Sequence, residues 1–215
     1  MSVANIEPPD HGYSIADVTE RQRWRDLVAA VRQRVADEAL DDVVLFHGTS
    51  ERALEKIMVE GMEAIECSHA LPPDDRDDDE YGTFWGTIDT AAAYADDTAA
   101  ERHPDSLPVI IAIPVSTLEW HGSIVADGAT VDFPLKGLTR LDDPQVAAYW
   151  SDFDATRPWR ESLRDLGAVL AIHNNGIHFE DLTVIKSLQD FELVVAEARK
   201  AGLRSVADSA TPSGF

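Results

Sequence analysis

The chain has 215 residues, of which forty are Asp or Glu and eighteen are Lys or Arg, giving a formal charge of −22 at pH 7. That balance argues against a nucleic-acid partner, which needs clustered Lys and Arg to hold phosphate, and no apolar run approaches the length that spans a bilayer. A single cysteine, Cys67, excludes an internal disulfide and any cysteine-rich metal site.

The first sixteen residues are rich in Pro, Gly and polar groups. They show neither the basic start nor the apolar stretch of a secretory leader, so a cytoplasmic protein is expected. From Asp17 to Leu40, the residues Trp24, Leu27, Val28, Val31 and Val35 recur at helical spacing and predict an amphipathic helix. Residues 1–42 form an N-terminal extension in this reading, and residues 43–215 the main domain. Val43–Phe46 reads as a buried strand. Ser50–Glu60 follows as a helix, with Glu51 near its positive end and Gly61 as its stop. His69–Gly82 is a loop dense in Pro and Asp; its carboxylates could hold a divalent cation, but it lacks the ordered alternation and glycine of a calcium loop, and a flexible acidic loop is the reading preferred.

"YGTFWGT" reads as a strand and "DTAAAYADDTAAERH" as a helix capped by Asp89. Pro108–Leu118 is a strongly apolar strand whose internal proline predicts a bend or a sheet edge. Loops and short strands fill 119–145, and "VAAYWSDFDATRPWRESLRDLG" is partly helical. Gly167–Ile172 is another buried strand, Ile177–Ile185 the last one, and Phe191–Ala207 a closing helix. Helices and strands mix without a strict βαβ rhythm, which predicts an α+β fold.

Three short motifs stand out from this background. In "LFHGTSERALEKIMVEGM" an apolar strand runs straight into His47 and Gly48, where open sheets keep their ligands. In "YGTFWGTIDTAAAYADD" aromatic residues sit on a strand and on the helix after it. In "NNGIHFEDLTVIKSL" an acid, Glu180, shares by alternation a strand face with His178, Leu182 and Val184. In this order and separation the motifs resemble the ADP-ribosyltransferase fold, in particular its His-Tyr-Glu group of diphtheria-toxin-like and poly(ADP-ribose) polymerase-like enzymes. The resemblance covers about Val43 to Leu188 and implies a split, mixed or antiparallel sheet with flanking helices.

The resemblance further implies NAD as the bound dinucleotide. His47 would bond a ribose hydroxyl and Gly48 would present its backbone to the nicotinamide carboxamide, with Thr49 or Ser50 assisting. A carboxamide offers one donor and one acceptor, which a bare peptide matches. Phe84, standing where the family has tyrosine, and Tyr94 would sandwich the cationic nicotinamide ring; Trp85 takes the place of Phe84 if the register shifts by one. Glu180 would be the catalytic acid, with Asp181 and, more remotely, Asp132 as alternatives.

The implied activity is mono-ADP-ribosyl transfer to a protein or small molecule. NAD glycohydrolysis, RNA 2′-phosphotransfer and silent binding of NAD, ADP-ribose or a basic protein are the competing expectations. The acids from Asp74 to Glu80 argue against an RNA substrate.

Overall fold

Six of the seven residues of strand β1, Val44–Ser50, are buried, so this strand has to lie inside a sheet with both faces covered. A computed structural model describes residues 15–66, 81–126, 158–173 and 175–209. Helix α1 (Ile15–Glu38) precedes β1, and α2 (Glu51–Glu60), β2 (Ile65–Glu66) and β3 (Tyr81–Gly86) follow it. Next come α3 (Ile88–Asp97), running on into a π-helical turn at Thr98–Arg102, then β4 (Pro108–Pro114), α4 (Val115–His121) and β5 (Ser123–Ala126). The described chain ends with α5 (Trp159–Leu166), β6 (Ala168–Ile172), a 3₁₀ turn at Phe179–Asp181, β7 (Thr183–Val184) and α6 (Leu188–Ser209). Cys67, Asp132 and the acidic residues 74–80 lie outside the described residues.

The strands form one sheet in the order β5-β6-β3-β1-β4-β7, with β2 added on β3. Every described pairing is antiparallel. The fold is therefore α+β, and the mixed pairing allowed for above is not seen among the described residues. No described helix is long and apolar enough to cross a membrane.

Strand alternation sends the side chains of β1 to two cores. On one face Val44 and Phe46 meet Val28, Val31 and Val35 of α1, Ala91 and Ala95 of α3, and Phe191, Val194 and Val195 of α6. On the other, Leu45 meets Leu54 of α2, Val115 and Leu118 of α4, Leu163 of α5 and the buried Trp85 of β3. Helix α1, set apart from the main domain by sequence, thus shares the core of β1.

Local chemistry explains the boundaries. Ser50 Oγ accepts from Ala53 N–H at the start of α2, and Gly61 ends it at a φ of 79° that glycine adopts without strain. Helix α3 is capped by Thr87, whose Oγ1 accepts from Thr90 N–H, and not by Asp89 as the sequence predicts. Asp89 instead sits in the first turn and pairs with Arg32 of α1. The proline in the apolar run 108–118 marks neither a bend nor an edge. Pro114 closes β4, an interior strand, and opens α4, because a residue without N–H is harmless at a helix start.

Candidate functional site

The site begins where the sheet stops being regular. β1 pairs with β4 along its whole length, from Val44 opposite Pro114 to Ser50 opposite Pro108. Its pairing with β3 consists of one position, Phe46 opposite Gly86. Beyond that point the same edge of β3 is taken over by β2, with Ile65 opposite Gly82 and Glu66 opposite Tyr81. Between the two stretches β1 and β3 part.

Which groups face the parting follows from antiparallel geometry, where a residue's N–H and C=O point to the same neighbour and successive residues alternate. Val43 C=O accepts from Val115 and Glu51 N–H donates to Leu107 C=O, both toward β4. Odd-numbered residues of β1 therefore address β4 and even-numbered ones address β3. Phe46 still has Gly86 as its partner there; Gly48, the next in line, has passed the end of the ladder. Its peptide donor and acceptor face the opening.

His47 holds the opening in shape. Its Nδ1 lies 2.9 Å from Phe84 O, the carbonyl that a continued ladder would have given to Gly48. A carbonyl only accepts, so Nδ1 carries the proton and donates, leaving Nε2 as an acceptor on the neutral ring. Burial holds the His47 imidazole below its ordinary pKa, against the opposing pull of the Phe84 carbonyl, so the ring is neutral at pH 7. A neutral imidazole with an acceptor at Nε2 thus stands next to a peptide beyond the end of the β1–β3 ladder.

The aromatic residues divide between the two faces. Trp85 is 2% exposed on the α2 side, 5.7 Å from the His47 ring, and its indole N–H donates to Thr83 Oγ1 at 2.7 Å. It is core and cannot stack on a ligand. Phe84 lies on the α3 side, partly buried against Leu170, Val125 and Ile172. Tyr94 is 58% exposed on α3. Of the two candidate rings, Trp85 is fully buried and Phe84 only partly so. Thr49 is buried, and Ser50 Oγ is committed to capping α2 and to His103 Nδ1 at 2.6 Å.

The predicted strand at Ile177–Ile185 requires correction. Ile177 makes an isolated bridge with Met62, residues 179–181 turn, and β7 begins only at Thr183. Two forces break the strand. Phe179 packs into the α2-side core, and His121 Nε2 holds Asp181 Oδ2 at 3.2 Å, so the backbone closes on itself through Asp181 N–H to His178 C=O and Leu182 N–H to Phe179 C=O. Glu180 is exposed at the crest of this turn, and the shared face with Leu182 and Val184 does not exist. Among the described residues no hydrogen bond or ion pair joins Glu180 to His47 or Gly48. Asp181 is occupied by His121.

The structure thus joins the His47 ring to the Phe84 carbonyl beside Gly48, sets the Phe84 ring and Tyr94 on the α3 side of the sheet with the His47 ring on the α2 side, and leaves Glu180 on a separate turn. Sequence reading missed a row of polar groups behind Trp85. Thr83 Oγ1 contacts His173 Nε2 at 2.9 Å, and the buried Nδ1 of His173 has no partner. No signal in the sequence pairs these residues, because Thr83 and His173 meet only through the pairing of β3 with β6. A cleft of about 640 Å³ between α1 and α2, lined by Trp24, Leu54, Met58 and Val184, contains none of the candidate residues. Among the described residues no group of three His, Cys, Asp or Glu side chains is placed to hold a metal ion.

His173, like His47, sits below its ordinary pKa, first through burial and then through the nearby His121. Both rings are free to protonate near pH 6.5 in the unfolded chain but resist doing so when folded. The unfolded state then binds more protons below about pH 6.5, so this stabilisation is complete above that value and is lost as pH falls toward the lowered native pKa values. Each ring steepens the slope by at most about 1.4 kcal/mol per pH unit. Urea unfolding at pH 7.5 and 5.5 is expected to show a smaller loss of stability for His173→Asn than for the parent protein. Equal losses would refute the assignment.

Comparison with known protein families, curated proteins and solved structures finds no match for this chain.

Proposed function

We propose that the protein is an NAD-dependent mono-ADP-ribosyltransferase of the His-Tyr-Glu type, with its fold a member of that architecture. The supporting observation is the opening between β1 and β3, where the Gly48 peptide has passed the end of the ladder and His47 Nδ1 has taken the carbonyl opposite. A peptide that leaves a ladder calls for a new donor and a new acceptor, and a carboxamide supplies both.

In this reading Gly48 holds the carboxamide of NAD and His47 Nε2 accepts from a ribose hydroxyl. Phe84 and Tyr94 supply the aromatic surfaces for the nicotinamide ring. Phe84 retains the stacking face of the family's tyrosine and lacks only its hydroxyl. The bond between nicotinamide and ribose breaks through an oxocarbenium-like state, in which contacts to the 2′-hydroxyl strengthen, as in glycoside hydrolysis. Glu180 would accept from that hydroxyl and stabilise the growing positive charge. No step calls for a metal. The negative charge of the chain favours a protein or small-molecule acceptor over a nucleic acid.

The test is to incubate the protein with NAD labelled in its adenylate part, with and without cell lysate. Release of nicotinamide together with label on a macromolecule or small acceptor is the expected result. Release with free ADP-ribose alone would make the protein a glycohydrolase. Saturable NAD binding without release would make it a silent binder, and no binding at all would end the proposal.

A further inference from the structure

Glu180 stands between two anchored neighbours. Phe179 packs, partly buried, against the α2-side core, and the Asp181 carboxylate is held by His121 Nε2 at 3.2 Å. A carboxylate oxygen only accepts here, so the imidazole donates. The His121 side chain is 8% exposed, which makes its bond far less open to water than an ordinary surface pair.

His121 is itself fixed. It closes α4, whose Leu118 is fully buried, and it is followed by Gly122, where a Cβ would overlap Ile172 O and approach His173 Cβ to 3.0 Å. The end of α4 therefore lies tight against the end of β6. Beyond it the polar row continues from His173 through Thr83 to Trp85, whose ring touches the His47 ring. A chain of contacts thus runs from the turn that carries Glu180 to the opening at His47.

We propose that His121 is a positioning residue: by holding Asp181 it fixes the Phe179–Asp181 turn and with it the direction in which Glu180 points. This rests on the reading of Glu180 as the acid that stabilises the glycosyl transition state. His121 touches neither substrate nor reacting atoms in this account and acts only through Asp181. A displacement of about 1 Å in such a group can cost roughly 100-fold in rate, so the hold bears on turnover.

Three variants test it: His121→Ala, which removes the donor; His121→Gln, whose side-chain amide can restore it; and Asp181→Ala, which removes the acceptor at a more exposed position. Nicotinamide release, NAD affinity and amide exchange at Asp181 and Leu182 are measured on each. For His121→Ala, kcat is expected to fall about 10- to 100-fold, with NAD affinity within about threefold of the parent. Exchange at the two amides speeds up while β1 and β4 stay protected, and His121→Gln recovers both readouts. Asp181→Ala behaves like His121→Ala and stands in for it should that variant not fold.

Unchanged kcat in His121→Ala, or a lower kcat with unaltered exchange at the turn, overturns the proposal. Failure of the underlying reading looks different. The parent protein then releases no nicotinamide while the exchange results still show the turn held by His121, which refutes the role of Glu180 and leaves the clamp as a structural contact.

Discussion

Replacing Gly48 with alanine is expected to lower the unfolding free energy by about 3 kcal/mol, at the upper end for overpacked sites. A Cβ on Gly48 would overlap the carbonyl oxygen of Ala91 and lie 2.7 Å from Ala95 N. Both obstacles are backbone atoms of α3, so no side-chain rotation relieves the clash, and α3 as a whole has to move off β1. That shift would disturb a core in which Phe46, Ala91, Ala95 and Ile110 are all buried. For the same reason Ala91→Gly is not expected to rescue the variant, because it leaves the offending oxygen in place.

Urea unfolding of the single and double variants measures this directly. A Gly48→Ala protein within about 0.5 kcal/mol of the parent, the range of harmless surface changes, would show that α3 does not press on β1 as described. The glycine thus has two separate reasons to be where it is. Its missing side chain lets α3 approach, and its peptide faces the opening. Loss of activity in Gly48→Ala would mix the two effects, so the binding role is better tested at His47, where His47→Ala removes the acceptor without touching the α3 contact.

Strongly periodic segments were readable because one physical requirement fixes each of them. The stripe of Val28, Val31 and Val35 needs a helix, and the run from Val44 to Phe46 ending at Ser50 needs a strand followed by a capped helix. What could not be read depends on partners far along the chain. β2 has two residues and exists as a strand through its pairing with Gly82 and Tyr81. The alternation in "IHFEDLTVI" looks like a strand, but Asp181 finds His121, sixty residues away, and the chain turns.

The same division runs through the candidate site. His47, Gly48 and Phe84 are legible as a motif. That the Gly48 peptide faces an opening follows from its register with β4 and from the early end of its ladder with β3, and local sequence encodes neither. Trp85 and Phe84 are adjacent, similar in character and opposite in facing. Only the sheet decides that the first is core and the second is half open.

Glu180→Gln is expected to reduce nicotinamide release about 100- to 1,000-fold, the loss typical of removing one group that stabilises transition-state charge. The exchange keeps the shape and hydrogen-bonding reach of the side chain and removes its charge. Because Glu180 is exposed and makes no described ion pair, stability should stay within about 0.5 kcal/mol of the parent, and loss of fold cannot be confused with loss of chemistry. NAD affinity should change little, since the charge acts when the glycosidic bond has largely broken rather than in the ground state. A fall in kcat with an unchanged binding constant therefore points to Glu180 itself. The neighbouring acid separates this from a general need for negative charge on the turn: Asp181→Ala loosens the turn and speeds exchange at Leu182, whereas Glu180→Gln leaves exchange as it is. Full turnover by Glu180→Gln would remove the glutamate from the mechanism and leave His47 and Gly48 as parts of a binding site only.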